Sequence, residues 1–341
     1  MFRCLNKLAC SLGILAVTAP CLAQATAESG CDLHGYSPSV RPDTLGVPTE
    51  VGVGLMLIDL SAINDVSQSI TLDALLTLEW TDRRLGSVAG CRYDVSAIWT
   101  PEIHLLNSAT VQLRQSPQIL IKADGRVVFT ARYTATIAST ANIVEFPFDE
   151  RDIVLRLGSL HYDKDELVLR VIEPWTGRAA ELTVPDWAIG EPSVAVSELN
   201  LPRVDRTLTV FEFQVSAARL ADYYVFKFVF PLCLIVMMSW SVFWVNPQNL
   251  SPQLQLAGTS MLTLIAYQFT VNELLPRVGY LTSMDQYVQA SSLLVFLALV
   301  EALITGRLAS MGRVAQAETL DRVSRWLFPV TYVTIIFVTL W

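Results

Sequence analysis

Residues 253 to 275 are an unbroken stretch of a length that crosses a bilayer, about 20 helical residues being enough, yet the stretch is not uniformly apolar. Taken at steps of four and three, Gln255, Thr259, Leu262, Ala266, Phe269 and Glu273 fall on one helical face. Lipid offers no partner to an amide, a hydroxyl or a carboxylate, so polar groups at membrane depth turn toward a bundle interior or a water-filled cavity. Two readings fit. Five copies around an axis place a hydroxyl ring at Thr259, an apolar constriction at Leu262 and a carboxylate ring at Glu273, which are the elements that filter and gate ions. Alternatively the helix is buried in an ordinary bundle, its Thr and Gln bonding to neighbouring helices.

Three further apolar stretches, roughly 223–245, 284–305 and 322–341, join this one in the last 120 or so residues, and together they predict four membrane helices. The first 220 residues read as soluble, although 52% of the whole chain is hydrophobic and the mean hydropathy is +0.43. Arg3 and Lys7 precede an apolar run from Leu8 to Val17, followed by Ala23-Gln24-Ala25, a small-x-small site. This predicts a secretory signal peptide over 1–25, a soluble domain over 26–220 outside the cytoplasm, and a membrane domain over 221–341. Cys21 follows Ala19-Pro20, a poor context for lipid anchoring. Four crossings return the C-terminus to the outside and put the connection carrying Arg307, Arg313, Arg322 and Arg325 inside, in line with the positive-inside rule.

The soluble part predicts a string of short strands at 51–60, 70–80, 119–122, 127–136, 153–157, 167–172, 188–196 and 208–217, separated by turn signals such as Asp124-Gly125 and Thr176-Gly177. Strands at this spacing argue an all-β, immunoglobulin-like sandwich joined to an all-α four-helix membrane domain. After removal of the leader and with Cys233 in a membrane helix, Cys31 and Cys91 are left either to pair in an oxidising compartment or to remain free thiols.

Charge and motifs exclude other classes. The chain carries a net −8, with the acidic excess concentrated in the soluble part, which argues against nucleic acid as a partner and favours cations near an outer mouth, or simply solubility. Gly52-Val53-Gly54 lacks the third glycine of a dinucleotide loop, and no Gly-x-Ser-x-Gly occurs. His104 and His161 have no partners at metal-ligand spacing, so no enzyme chemistry, cofactor or metal site is expected.

Several short pieces occur in one order: Leu78-Glu79-Trp80-Thr81-Asp82, Trp99-Thr100-Pro101-Glu102, Phe146-Pro147-Phe148-Asp149, 157–163, Arg219 before Tyr223-Tyr224, Pro231, and Leu275-Pro276-Arg277. Ordered this way ahead of and within four membrane helices, they resemble pentameric ligand-gated ion channels, and the chain is similar to bacterial members of that family. The resemblance implies a homopentamer around a central pore in the inner membrane of a bacterium, with membrane lipids, permeant ions and a small-molecule agonist or protons as partners. The cysteines that close the family's signature loop are replaced by Ser139 and Ile153. That loop is then expected to be held by Phe146, Phe148 and the polar contacts of Asp149. Asp149 and Arg219 are expected to pair and, with Asp65 in the turn after Ile63-Asn64 and the loop holding Pro276 and Arg277, to carry the stimulus to the pore.

The resemblance also places agonist binding between subunits, in an aromatic box. Here the matching positions are Leu75, Leu106, Leu160 and Leu208, which removes the usual cage for an ammonium group. Glu102, His104, His161, Tyr162, Asp163 and Phe211, with Trp187, are the remaining candidates near those loops. A histidine there would make the stimulus pH-dependent. Selectivity signals conflict. Glu273 and the acidic domain favour monovalent cations, whereas the inner approach from Asn246 to Gln253 carries no acid and leaves anion passage open. A membrane-anchored receptor that does not conduct is the competing class.

Overall fold

Period-two alternation decides the first half of the fold. In the computed structural model, which describes residues 31–43, 46–139, 142–274 and 278–340, with Glu273 and Leu274 described in backbone only, every second residue from Ile70 to Trp80 is buried. The expected leader at 1–25, Pro276, Arg277 and the side chain of Glu273 lie outside the described residues.

The strands are β1 (Thr49–Asn64), β2 (Ser69–Thr81), β3 (Ile103–Leu105), β4 (Ser108–Leu113), β5 (Gln118–Ile121), β6 (Arg126–Ala138), β7 (Glu150–Ser159), β8 (Leu167–Val171), β9 (Gly177–Arg178), β10 (Trp187–Ile189), β11 (Ser193–Leu201) and β12 (Arg206–Arg219). One sheet runs β4-β6-β2-β1-β8, with β5 on β6 and β9 on β1; the other runs β10-β12-β7-β3, with β11 on β12. Ile70, Leu72, Leu76 and Leu78 of the first sheet pack with Ile153, Leu155, Leu157, Phe211, Phe213 and Val215 of the second, so the two sheets form a sandwich. Trp80 meets Trp99 edge to face at 5.9 Å, worth about 0.5–1.5 kcal/mol beyond area burial.

The strand expected over 188–196 is two strands in the structure. Pro192 has no N–H for a ladder, and Gly190 turns so closely past Ser216 that a side chain there would strike the Ser216 hydroxyl. Gly125, at φ +76°, likewise sits against the Asp82 backbone in a turn only glycine fits well. Cys31 and Cys91 form a disulfide, with Cα atoms 5.7 Å apart, that ties the start of the described chain to the loop after Val88.

Four helices follow: α1 (Asp222–Trp244), α2 (Leu250–Leu274), α3 (Ser283–Ser310) and α4 (Val314–Leu340). Helices α1, α3 and α4 are long and apolar enough to cross a membrane; α2, of 25 residues, matches them in length but is more polar. A wide π turn at Val225–Val229 precedes Pro231 in α1, where a proline lacks the N–H that a regular turn would use. Helix α3 opens on a capping box in which Asp285 N–H donates to Thr282 Oγ1 (3.1 Å) and Thr282 N–H donates to Asp285 Oδ2 (3.0 Å). Hydroxyl groups stitch the bundle: Tyr267 of α2 donates to the Phe228 carbonyl (2.7 Å), and Tyr287 and Tyr332 bond to each other (2.6 Å). The C-terminal end of α4 returns to the base of the sandwich, where Val338 and Leu340 line one cavity with Glu145 and Phe148. The arginine-bearing α3–α4 connection therefore lies at the far end of the bundle.

Candidate functional site

Helix α2 divides cleanly into two faces. Gln253, Ala257, Ser260, Leu264 and Val271 are buried against the other helices, while Gln255, Thr259, Leu262, Ala266 and Phe269 are exposed in the protomer. Leu262 and Phe269 are 68% and 70% exposed, large apolar side chains with no cover from their own chain. Thr259 donates to the Gln255 carbonyl (2.7 Å) and Thr263 to the Thr259 carbonyl (2.8 Å). Each hydroxyl spends its hydrogen on its own helix, which leaves oxygen lone pairs to face outward.

A second set of residues gathers where the sandwich meets α1. Arg219, the last residue of β12, donates through Nε to Asp149 Oδ1 (2.6 Å) and through Nη2 to Asp149 Oδ2 (3.1 Å) and Asp65 Oδ2 (2.8 Å). Arg151 donates through Nη2 to Asp65 Oδ1 (2.8 Å) and Asp149 Oδ2 (2.9 Å). Arg219 also donates to the Tyr224 hydroxyl at 3.2 Å. Two guanidiniums and two carboxylates thus close a ring of charge-assisted hydrogen bonds, the strong kind. Trp187 is wedged beneath it, its ring 4.3 Å from the Arg219 guanidinium and 4.5 Å from that of Arg151.

Sequence reasoning brought Asp65, Asp149 and Arg219 forward and missed Arg151. The signal was there: Asp149, just before β7, and Arg151, its second residue, are two apart, a spacing that puts both side chains on one face of extended chain. Trp187 was assigned to the ligand loops; the structure moves it to this cluster, because β10 pairs with the end of β12 and Trp187 lies opposite Arg219. Of the two phenylalanines expected to hold the 142–149 loop, Phe146 does so, 1% exposed and 4.9 Å from the Tyr224 ring. Phe148 is 42% exposed and lines a cavity with Val338, Thr339 and Leu340 at the end of α4, so it faces that helix while Phe146 packs on Tyr224. The same loop reaches the segment before α3, where Ile143 N–H donates to the Tyr280 hydroxyl (3.1 Å) and Ser283 N–H to the Val144 carbonyl (2.7 Å).

Burial alone would push the Asp149 carboxyl up, but the donors of Arg219 and Arg151 outweigh it and hold the group below the usual carboxylate range. A depressed folded value means that the pairing stabilises the fold above the unfolded value, near 3.9, and that this contribution is lost as pH falls through the folded value. Asp149→Asn is expected to flatten the acid limb of a melting-temperature profile below about pH 4, where the wild type loses this contribution. A limb of unchanged steepness would rule that out.

The ligand candidates are brought together only in part. Glu102 and His161 lie 3.9 Å apart on the surface, and the Tyr162 hydroxyl accepts from Trp99 Nε1 (2.9 Å). Asp163 is absorbed by a local turn, accepting from Asp165 N–H (3.0 Å). His104, paired in register with Gly158, lines a cavity of about 240 Å³ between the sheets with Tyr133, Leu76 and Leu157. Leu106 is half-buried beside Gly158 and Leu160 is 58% exposed. Leu208 and Phe211 are corrected: Phe211, 0% exposed, is packed in the sandwich core, and Leu208, on the opposite face of β12, is covered at 1% exposed, so neither presents surface to a ligand in the protomer.

Two families match in chain order. Residues 31–197 match the family described as neurotransmitter-gated ion-channel ligand binding domain, and residues 228–313 match the neurotransmitter-gated ion-channel transmembrane region. The chain belongs to the neurotransmitter-gated ion-channel family. The channel is 26% identical over 327 residues to a proton-gated ion channel of Gloeobacter violaceus, which covers 92% of this chain and 90% of that one. It is 26% identical over 296 residues to a gamma-aminobutyric acid receptor subunit beta of Lymnaea stagnalis, and 24% identical over 310 residues to a gamma-aminobutyric acid receptor subunit beta-4 of Gallus gallus. Those two alignments take in 79% and 86% of this channel but only 58% and 62% of the receptor subunits.

Proposed function

We propose that five copies of this channel surround a pore lined by α2, that a stimulus bound between adjacent sandwiches opens it, and that monovalent cations pass across the inner membrane of a bacterium. The observation that carries the reading is the two-faced α2: one face buried in the bundle, the other a stripe of Gln255, Thr259, Leu262, Ala266 and Phe269 left uncovered by its own chain. Around an axis, the outward hydroxyl oxygens of Thr259 solvate a cation, Leu262 and Phe269 form the apolar barrier, and Glu273 supplies a carboxylate ring at the outer end. The acidic sandwich raises cation concentration near that mouth, an effect screened beyond about 8–10 Å.

The ring of Asp65, Asp149, Arg151 and Arg219 joins a sandwich turn, the 142–149 loop, β12 and the start of α1, and the same loop touches the segment before α3. A movement of the sandwich therefore reaches the membrane helices through bonded groups. Pro276 and Arg277, which follow α2 in the sequence, are proposed as further members of this route. Similarity to a proton-gated channel supports protons as the stimulus, and similarity to gamma-aminobutyric acid receptor subunits supports a small organic molecule. Glu102, His161 and Tyr162 on the sandwich surface are the groups placed to meet either.

Purified protein in planar bilayers under a sodium chloride gradient tests the reading, with pH and a panel of small amines and aromatic acids as stimuli. The expected result is stimulus-evoked current that reverses near the sodium equilibrium potential. Reversal that tracks chloride would overturn cation selectivity. Silence from a verified pentamer, in wild type and Leu262→Ala alike, would replace the channel by a receptor that does not conduct.

A further inference from the structure

Helices α3 and α4 meet at two acids that have no cationic or hydrogen-bond donor partner among the described residues. Glu301 on α3 and Asp321 on α4 are 7% and 1% exposed and face each other within interaction range. Among the described residues, none of their four carboxyl oxygens accepts a geometrically complete hydrogen bond. Ser324, itself buried, lies beside Glu301 without completing one.

The charged surroundings do not resolve the pair. Arg325, one turn beyond Asp321, attracts it but donates through Nε to the Phe243 carbonyl (2.9 Å) and lies 5.8 Å from the Trp244 ring centre. Glu318, on the same helix, adds a like charge. On α3 the remaining charged residues are Asp285, committed to the cap, and Arg307, beyond the next turn. Residues 228–272, which include the packed parts of α1 and α2, hold no charged side chain at all. Their ionisable groups, Cys233 and Tyr267, are turned to Tyr332 and to the Phe228 carbonyl.

Two bare carboxylates in contact, buried and without donors, repel and stay poorly solvated, whereas one proton between them supplies the missing donor. We propose that Glu301 and Asp321 form a proton-binding site that ties α3 to α4, and that loss of its proton drives these helices apart. The consequence reaches the pore. Gly306, a turn and a half beyond Glu301, packs so tightly against Leu250 at the start of α2 that even a Cβ would collide with Leu250 Cδ1. Displacement of α3 at this end therefore moves the inner end of the pore-lining helix.

Infrared spectroscopy of the full-length protein in lipid vesicles tests the site directly. A protonated-carboxyl C=O band is expected near pH 6–7, where exposed carboxyls are ionised, and it is expected to fade as the pH is raised further. The band is lost or shifted in Glu301→Gln and in Asp321→Asn. Absence of the band in wild type, or a band that neither variant alters, overturns the proposal, and the wild-type titration decides it even where a variant fails to fold. Current recorded from the same preparations is expected to lose its alkaline pH dependence in both variants; an unaltered pH–current curve in the acid variants refutes the coupling to α2. Only this electrical readout rests on the channel reading. A band without current in wild type removes that reading and leaves the proton site standing; current without a band does the reverse.

Discussion

Arg219→Ala is expected to abolish the stimulus response and to lower the stability of the sandwich by about 3–5 kcal/mol, the cost of leaving a buried charge unpaired. The loss is large because Arg219 is 2% exposed and bonded to two carboxylates and a phenol at once. Removing it strands Asp149, also 2% exposed, with Arg151 as its remaining cation. Arg219→Lys keeps the charge but lacks the planar fork that grips both Asp149 oxygens, so it is expected to restore assembly and leave gating impaired. Pentamer recovery by size exclusion separates folding from gating, and bilayer current reads the second. Normal pentamers with an unchanged response in both variants would show that the cluster is structural only.

Leu262→Ala is expected to raise spontaneous current or stimulus sensitivity about tenfold or more, equivalent to about 1.4 kcal/mol in the closed–open equilibrium. Leu262 stands uncovered on the α2 stripe, and in the proposed pentamer shortening it in all five copies would widen and wet the constriction at a single level. The packed face of α2 is untouched, so stability should change little. Phe269→Ala is the comparison: a larger leak there than at Leu262 would move the barrier about two turns outward.

Much of this was legible because it depends on periodicity and type. Alternation from Ile70 to Trp80 needs only local sequence to be read, as does the apolar length of the stretches that became α1, α3 and α4. The polar stripe on α2 was visible for the same reason. Asp149 and Arg219 were legible through the ordered motifs they stand in, although no local rule pairs residues 70 apart.

What eluded reading depends on which strands meet. Phe211 looked like a ligand residue by position, but β12 lies between β7, β10 and β11, and that pairing turns it into the sandwich core with Phe213 and Val215; Leu208, three residues earlier and so on the opposite face, is covered as well. Trp187 changed role because the register sets it opposite Arg219, not beside the loop at 157–163. Arg151 joined the cluster only once β7 and β12 were aligned. Glu301 and Asp321 carry no signal in the sequence, since nothing local says that two acids 20 residues apart on different helices will face each other. The sequence by itself determined the order of a β-sandwich and four membrane-length helices, and the polar face of the second, because periodic patterns and hydropathy are local properties. Tertiary structure alone decided which side chains are stripped of water together, and with them the partners of every buried charge, because register and helix packing bring distant residues into one environment.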